Sequence, residues 1–385
     1  MNHLILACFL CISMVSCTRY DAVRIVRAAA TGNPATAAQA LARDKAIGYA
    51  TNPEALATDI KHFSSMVEKL VTSVEKVWGK ENVRLPEPKS YVKYTDNYLS
   101  RASIDFDSGV ITIETLATET PKKNLKNAIV TTLLTPGDPR AVDLYSAQTV
   151  KLGDTPFLLG EVKDQDNKDI RWAWRAEHFA DYLIKNSLET KKNGHKTVHS
   201  VSISMVRDHL DIRAKKYEQL VKSAAKRFSV SKNLIYAIMK VESDFNPFAT
   251  SAAMALGLMQ VVPKTAGSDV YQFLHGKKGT PSRKDLLMPA TNITYGSAYL
   301  HLLDTRFLNG IKSPVSREYC VIAGYNGGAG TVLNTFNKNR KKAVAAINAA
   351  PPAKVYSTLR KHLAYQETRR YLGKVLDAKK HFVNF

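Results

Sequence analysis

Cysteine is scarce in this chain: it has four, Cys8, Cys11, Cys17 and Cys320, in 385 residues. Three of them crowd the N-terminal end, so the body of the chain holds one thiol and no disulfide framework braces the fold. Acidic residues are also few. Asp and Glu total 34 against 55 Lys and Arg, a formal net charge of +21. The shortage is uneven: residues 201–385 hold 29 basic and 11 acidic residues, which is +18 of that total. Beyond the N-terminus no run reaches the roughly 18 consecutive apolar residues that a membrane-spanning helix needs. There is no internal repeat, and no group of His, Cys, Asp and Glu has metal-ligand spacing, so neither a metal nor another cofactor is expected. A basic excess of this size asks for an anionic partner, whether nucleic acid, an acidic membrane surface or an acidic polymer; plain solubility is the other explanation.

The N-terminus is informative. His3 to Cys17, "HLILACFLCISMVSC", is an apolar run too short to span a bilayer comfortably, and it ends in small residues. It reads as the apolar region of a signal peptide, with a short uncleaved anchor as the other reading. Met14-Val15-Ser16-Cys17 resembles a bacterial lipobox. Residues 1–16 are then a lipoprotein signal peptide and Cys17 carries the lipid. Thr18 follows rather than Asp, which for lipoproteins of this kind implies the outer membrane, facing the periplasm. Residues 17–51, rich in Ala and Thr, read as a tether.

Residues 52–206 read as an α+β N-terminal domain. Asn52-Pro53 marks a helix start, and Ile60, Phe63, Val67, Leu70, Val74 and Val77 recur at steps of three and four up to Trp78-Gly79. "ASIDFDSGVITIETL" alternates around Asp107-Ser108-Gly109, which predicts a hairpin, and Ser200 to Val206 alternates again. "NAIVTTLL" and "RAEHFADYLIKNSL" between them look helical. From about His209 the strand signal stops, so residues 207–385 read as a mainly α domain. One helix is expected over "IRAKKYEQLVKSAAKRF", another capped by Ser231, and others near 290–308, 316–325, 343–349 and 355–379.

In Tyr236 to Pro263, "YAIMKVESDFNPFATSAAMALGLMQVVP", Glu242 falls on the same helical face as Ile235, Ile238 and Met239. A carboxylate there is either a helix-end Glu paired with a cation such as Lys240, or a general acid. Apolar surroundings disfavour its charged form and keep a proton available near neutral pH. Asp244, the nearest second carboxylate, points across the helix and reads as a helix-end residue.

The surrounding motifs supply context. Glu242-Ser243, Asn246-Pro247, Gly257-Leu258-Met259-Gln260, Tyr325-Asn326-Gly327-Gly328 and Glu367-Thr368-Arg369-Arg370-Tyr371 occur in that order in a helical setting. The set resembles the lytic transglycosylases of bacterial cell walls, whose catalytic domain is lysozyme-like. Ser90 to Leu116 and Ile170 to Asn186 resemble the N-terminal part of a membrane-bound branch of that family. The resemblance implies that Glu242 is the acid/base, that Ser251, Gln260, Tyr325, Asn326 and Tyr371 bind substrate, and that the Tyr371 hydroxyl lies near Glu242. It implies cleavage of peptidoglycan glycan strands at the N-acetylmuramic acid to N-acetylglucosamine bond, leaving 1,6-anhydromuramic ends. Read without the family, Ser251 could cap a turn, Gln260 could face solvent, and Tyr325 and Tyr371 could be core aromatics. Other functions compatible with these residues are a goose-type-like muramidase that uses water and a non-catalytic wall-binding lipoprotein. No nucleic-acid-binding motif is present, so no nucleic-acid partner is expected. The carboxylates of peptidoglycan give the basic half a partner.

Overall fold

The computed structural model describes residues 53–385, with side chains from Phe63 onward; the signal peptide, Cys17 and the tether lie outside the described residues. Pro53 opens helix α1 (Pro53–Trp78), a position where its missing N–H sacrifices no hydrogen bond. Phe63, Val67, Leu70, Val74 and Trp78 form its buried stripe. The Trp78 indole donates to the Tyr98 carbonyl at 2.7 Å, and the Arg101 guanidinium lies 3.9 Å over its ring.

Strands β1 (Ser90–Thr95), β2 (Ser100–Asp105), β3 (Val110–Thr115), β4 (Glu189–Asn193) and β5 (Lys196–Ser204) form one antiparallel sheet in the order β1-β2-β3-β5-β4. The expected hairpin joins β2 to β3. The Asp105 carboxylate accepts from the amides of Asp107 and Ser108, and Gly109 takes φ 68° against the His209 ring, where a Cβ would sit 2.7 Å from Nε2. Helices α2 (Pro121–Leu133) and α3 (Ala173–Asn186) pack on each other, and α2 lies against β2 and β3. Ile104, Ile111 and Ile113 are fully buried in this first core. Strand β4, "ETKKN", carries none of the apolar alternation that marks β5, because it is an exposed edge.

Among the described residues no strand follows Ser204. The chain continues through α4 (His209–Lys215), α5 (Glu218–Phe228), α6 (Lys232–Ser243), α7 (Ser268–His275), the one-turn α8 (Arg283–Leu286) and α9 (Pro289–Leu302). It ends with α10 (Pro314–Gly327), α11 (Ala329–Phe336), α12 (Arg340–Ala349), α13 (Pro352–His362) and α14 (Gln366–His381). These helices enclose a second core in which Ile235, Ile238, Ile293, Ile322 and Leu372 have no exposure. The expected α+β part followed by a mainly α part is therefore what the chain forms.

Three local expectations fail. The helix expected over "IRAKKYEQLVKSAAKRF" breaks at Lys216 and Tyr217, where the Lys216 ammonium turns back to the Phe157 carbonyl at 2.6 Å and to Glu161. The segment 355–379 is two helices, because Leu363 leaves helical geometry (ψ 140°) to bury itself completely in the core. Ser231 occupies the N-cap position of α6 but makes no side-chain bond to it.

The two cores meet along a seam. Phe248 lies beyond α6 in sequence, yet its ring belongs to the first core, 5.2 Å from Tyr91 and 5.1 Å from Phe157. Glu161, with no exposure, receives Arg213 Nε at 2.7 Å and Lys216 Nζ at 2.5 Å, both from the stretch that opens the helical part. An ion pair this deep needs its full set of hydrogen bonds to offset desolvation. Phe248→Ala should destabilise the whole chain by about 3–5 kcal/mol, the usual cost of emptying a buried aromatic site; the check is urea unfolding followed by near-ultraviolet circular dichroism.

Candidate active site

Helix α6 presents Ile235, Ile238 and Met239 to the second core with no exposure, and Glu242 follows them on the same face, half-buried. From α14, the Tyr371 hydroxyl donates to Glu242 Oε1 at 2.7 Å. Tyr371 is 4% exposed. Burial, then the charge of Glu242, push its phenol well above the usual value, so the hydroxyl keeps its proton and remains the donor. Tyr325 on α10 behaves alike: burial and then Glu242 raise its phenol, and its hydroxyl donates to the Met259 carbonyl at 2.8 Å.

Met259 belongs to a tight turn. Leu256 and Val261 exchange backbone hydrogen bonds of 3.1 and 3.0 Å, and Gly257 to Gln260 bend between them. Gly257 (φ 68°) and Gln260 (φ 47°) are both left-handed, and the Gln260 side chain steadies its own backbone by donating to the Gly257 carbonyl at 3.0 Å. The turn is held from outside by the fully buried Asn292 of α9. Its Oδ1 accepts from Met259 N at 2.8 Å, and its Nδ2 donates to the carbonyls of Leu256 and Leu286 at 2.7 Å each. Ser243, next to Glu242, donates to the Leu258 carbonyl at 2.7 Å and so fastens the end of α6 to the same turn. Sequence reasoning missed Asn292 and gave Ser243 no such task. The available signal was an amide inside a helix with no Asp, Glu, Lys or Arg, which in a buried position must satisfy its donors and acceptor.

The residues singled out from sequence divide into groups. Glu242, Tyr371 and Tyr325 come together, with the turn carrying Gln260 against them. Asn326 adjoins Tyr325 on α10, and its Oδ1 accepts from Thr368 at 2.7 Å, on the same helix as Tyr371. Ser251 is 4% exposed, and its hydroxyl accepts from the amides of Ala253 and Ala255 at 3.2 and 3.1 Å, so its contacts shape its own loop. That loop joins the turn through the bridge between Thr250 and Leu256. Asp244, the second carboxylate, faces away: it is fully buried and pairs with Lys240 and, at 2.8 Å, with Lys89. Cys17 lies outside the described residues.

Comparisons with known proteins identify the family. Residues 56–216 match the family model described as membrane-bound lytic murein transglycosylase C, N-terminal domain, and residues 219–348 match the transglycosylase SLT domain. The chain is 47% identical over 330 residues to a membrane-bound lytic murein transglycosylase C of Serratia proteamaculans (strain 568), covering 86% of this chain and 92% of that one. The relative from Yersinia pestis (strain Pestoides F) has the same identity and coverage. This chain belongs to the membrane-bound lytic murein transglycosylase C family. Among solved structures, an inactive mutant of the lytic transglycosylase Slt from Pseudomonas aeruginosa is 29% identical, with a TM-score of 0.34 over 45% of this chain and 25% of that one. The 70-kDa soluble lytic transglycosylase from Escherichia coli is 26% identical, with a TM-score of 0.34 over 46% and 26%. The N-terminal match of the lytic murein transglycosylase C family runs through α4, and so includes Arg213 and Lys216 at the seam. The SLT match ends before α14, the helix that brings Tyr371 to Glu242.

A methyl group at Gly257 would meet Asn292 Nδ2 at 2.5 Å and the Leu286 carbonyl at 2.8 Å, in a backbone conformation that L-residues avoid. Gly257→Ala should therefore destabilise the protein by about 1–3 kcal/mol. It should also lower turnover, because the turn is fastened to the end of α6. Thermal melting and product release, measured together, check this.

Proposed function

We propose that the chain is an outer-membrane-anchored lytic transglycosylase with Glu242 as its single acid/base. Membership of the lytic murein transglycosylase C family makes it a peptidoglycan-cleaving lyase. The observation that carries the finer reading is the 2.7 Å hydrogen bond from Tyr371 to a half-buried Glu242, with the neighbouring carboxylate of Asp244 bound up by lysines. Glycosidases with two working carboxyls need a second one facing the same bond. Here one group serves both steps. Protonated Glu242 gives its proton to the glycosidic oxygen between N-acetylmuramic acid and N-acetylglucosamine as the bond to C1 breaks. The acetamido oxygen of the muramic residue stabilises C1 as an oxazolinium-like species. The Glu242 carboxylate then takes the proton of the C6 hydroxyl, whose oxygen attacks C1 and closes the 1,6-anhydro ring. Water enters neither step, and Glu242 ends protonated as it began.

Tyr371 orients the acid, and Tyr325 holds the turn that carries Gln260 through the Met259 carbonyl. Ser251, Gln260, Tyr325, Asn326 and Tyr371 itself are assigned to substrate binding. Residues 52–206 and 207–385 are the two domains of this reading, and Cys17 carries the lipid that holds the chain to the outer membrane, facing the periplasm. No helix among the described residues is long and apolar enough to cross a membrane.

Glu242→Gln should fold and bind glycan yet release at least 10²-fold fewer muropeptides from sacculi, the ordinary scale of general acid–base help; near-normal release would remove Glu242 from the chemistry. Tyr371→Phe should lower turnover about tenfold, equivalent to about 1.4 kcal/mol of transition-state stabilisation. Its remaining products should still end in anhydro sugars, which liquid chromatography with mass detection separates from reducing ends by the mass of one water. Reducing ends alone from the unaltered protein would make it a hydrolase. Cys17→Ser should abolish lipid attachment, and mass analysis of the membrane-fraction N-terminus reads this directly.

A further inference from the structure

The α+β part has no share in the chemistry described above, yet its polar contacts with the helical part concentrate on the residues flanking Glu242. Helix α6 stops at Asp244 and Phe245, two successive non-glycine residues in the left-handed region, at φ 51° and 60°. Such a backbone persists only where the surroundings over-determine it. Here they do. The Asp244 carbonyl accepts from Arg213 Nη1 at 2.6 Å, and Arg213 is itself held by Glu161. The Asp244 carboxylate, with no exposure, receives Lys89 from the loop before β1 and Lys240 from its own helix. Lys240 reaches on to Asp107 in the β2–β3 hairpin at 3.1 Å. Two residues past Asp244, Asn246 donates to the Pro88 carbonyl at 3.0 Å.

From this cage we infer that Asp244 is a positioning residue for Glu242, and that through Lys89, Asp107 and Glu161 the α+β part holds the acid against Tyr371. The inference rests on the assignment of Glu242 as the acid. A carboxylate surrounded by cations in a water-excluded site is tightly fixed, because the attraction is weakly screened there. Fixing residue 244 fixes the last turn of α6 and hence the root of the Glu242 side chain. Displacements of about 1 Å at a reacting group cost on the order of 10²-fold in rate, so a loosened helix end would appear in turnover rather than in glycan affinity.

The test uses the full chain on solubilised glycan strands, with kcat and KM read from anhydro-product release. Asp244→Asn keeps the shape and removes the charge; Lys89→Met removes the partner from the α+β part while leaving Asp244 paired with Lys240. The expected result is a fall in kcat of about tenfold for Asp244→Asn and about threefold for Lys89→Met, with KM within about twofold of the parent. In a Tyr371→Phe background the Asp244→Asn effect should shrink toward nothing, since both changes act on the orientation of one carboxyl. Lys89 is half-buried and Asp244 keeps Lys240 in its absence, so Lys89→Met should stay folded with a modestly lower melting temperature, and it decides the matter alone if Asp244→Asn fails to fold. Parental kcat in a folded Lys89→Met, a change confined to KM, or full additivity with Tyr371→Phe would each overturn the inference. Glu242→Gln, run in parallel, separates the two levels: activity there removes the acid itself, whereas an inactive Glu242→Gln beside fully active Lys89→Met and Asp244→Asn removes only the positioning role.

Discussion

The hydrogen bond from Tyr371 to Glu242 is where distant stretches of the chain have to agree. The carboxyl comes from the end of α6 and the hydroxyl from α14, 129 residues later. The turn beside them is held by Asn292 from α9 and touched by Tyr325 from α10. A drift of α6 or α14 would change the donor–acceptor distance at the carboxyl, and a drift of α9 or α10 would release the turn. Close packing of the second core, with fully buried Ile235, Ile238, Ile322 and Leu372, is what makes that geometry stiff. The burial that supplies the stiffness also keeps both phenols protonated, so Tyr371 stays a donor and Tyr325 stays fastened to the turn.

How far this was legible in the sequence depended on the range of the interaction. The apolar face of α6 follows from a 3.6-residue period, and the position of Glu242 on it follows with it. The β2–β3 hairpin is equally local, written in Asp105, Gly109 and the alternation on either side. Strand β4 is an exposed polar edge whose identity comes only from pairing with β5, so its own residues say little. The break at Leu363 was hidden for a related reason: nothing near it forbids a helix, and only the burial offered by the distant core pulls it out. Motif resemblance found Glu242, Tyr325 and Tyr371, yet it was silent on Asn292. That amide shows its importance only when the three backbone groups it satisfies are seen together.

Ser251 and Asp244 make contacts that their side-chain types alone do not announce. A buried serine near a proposed acid invites a substrate role, while the visible contacts of Ser251 knit a loop. Asp244 reads from sequence as a helix-end residue, and its charge is taken up by Lys240 and by Lys89, which ties the helix end to the loop before β1.

Phe248 sets the order in which the molecule can be finished. The α+β part leaves the ribosome first, and in many chains such a unit would close before the rest arrives. Here one ring of its core, packed on Tyr91 and Phe157, is encoded beyond α4, α5 and α6. The first core therefore lacks one of its rings until the helix bearing Glu242 has been made. Phe248 stands six residues beyond Glu242, so the segment that completes the sheet's core is also the one that ends α6.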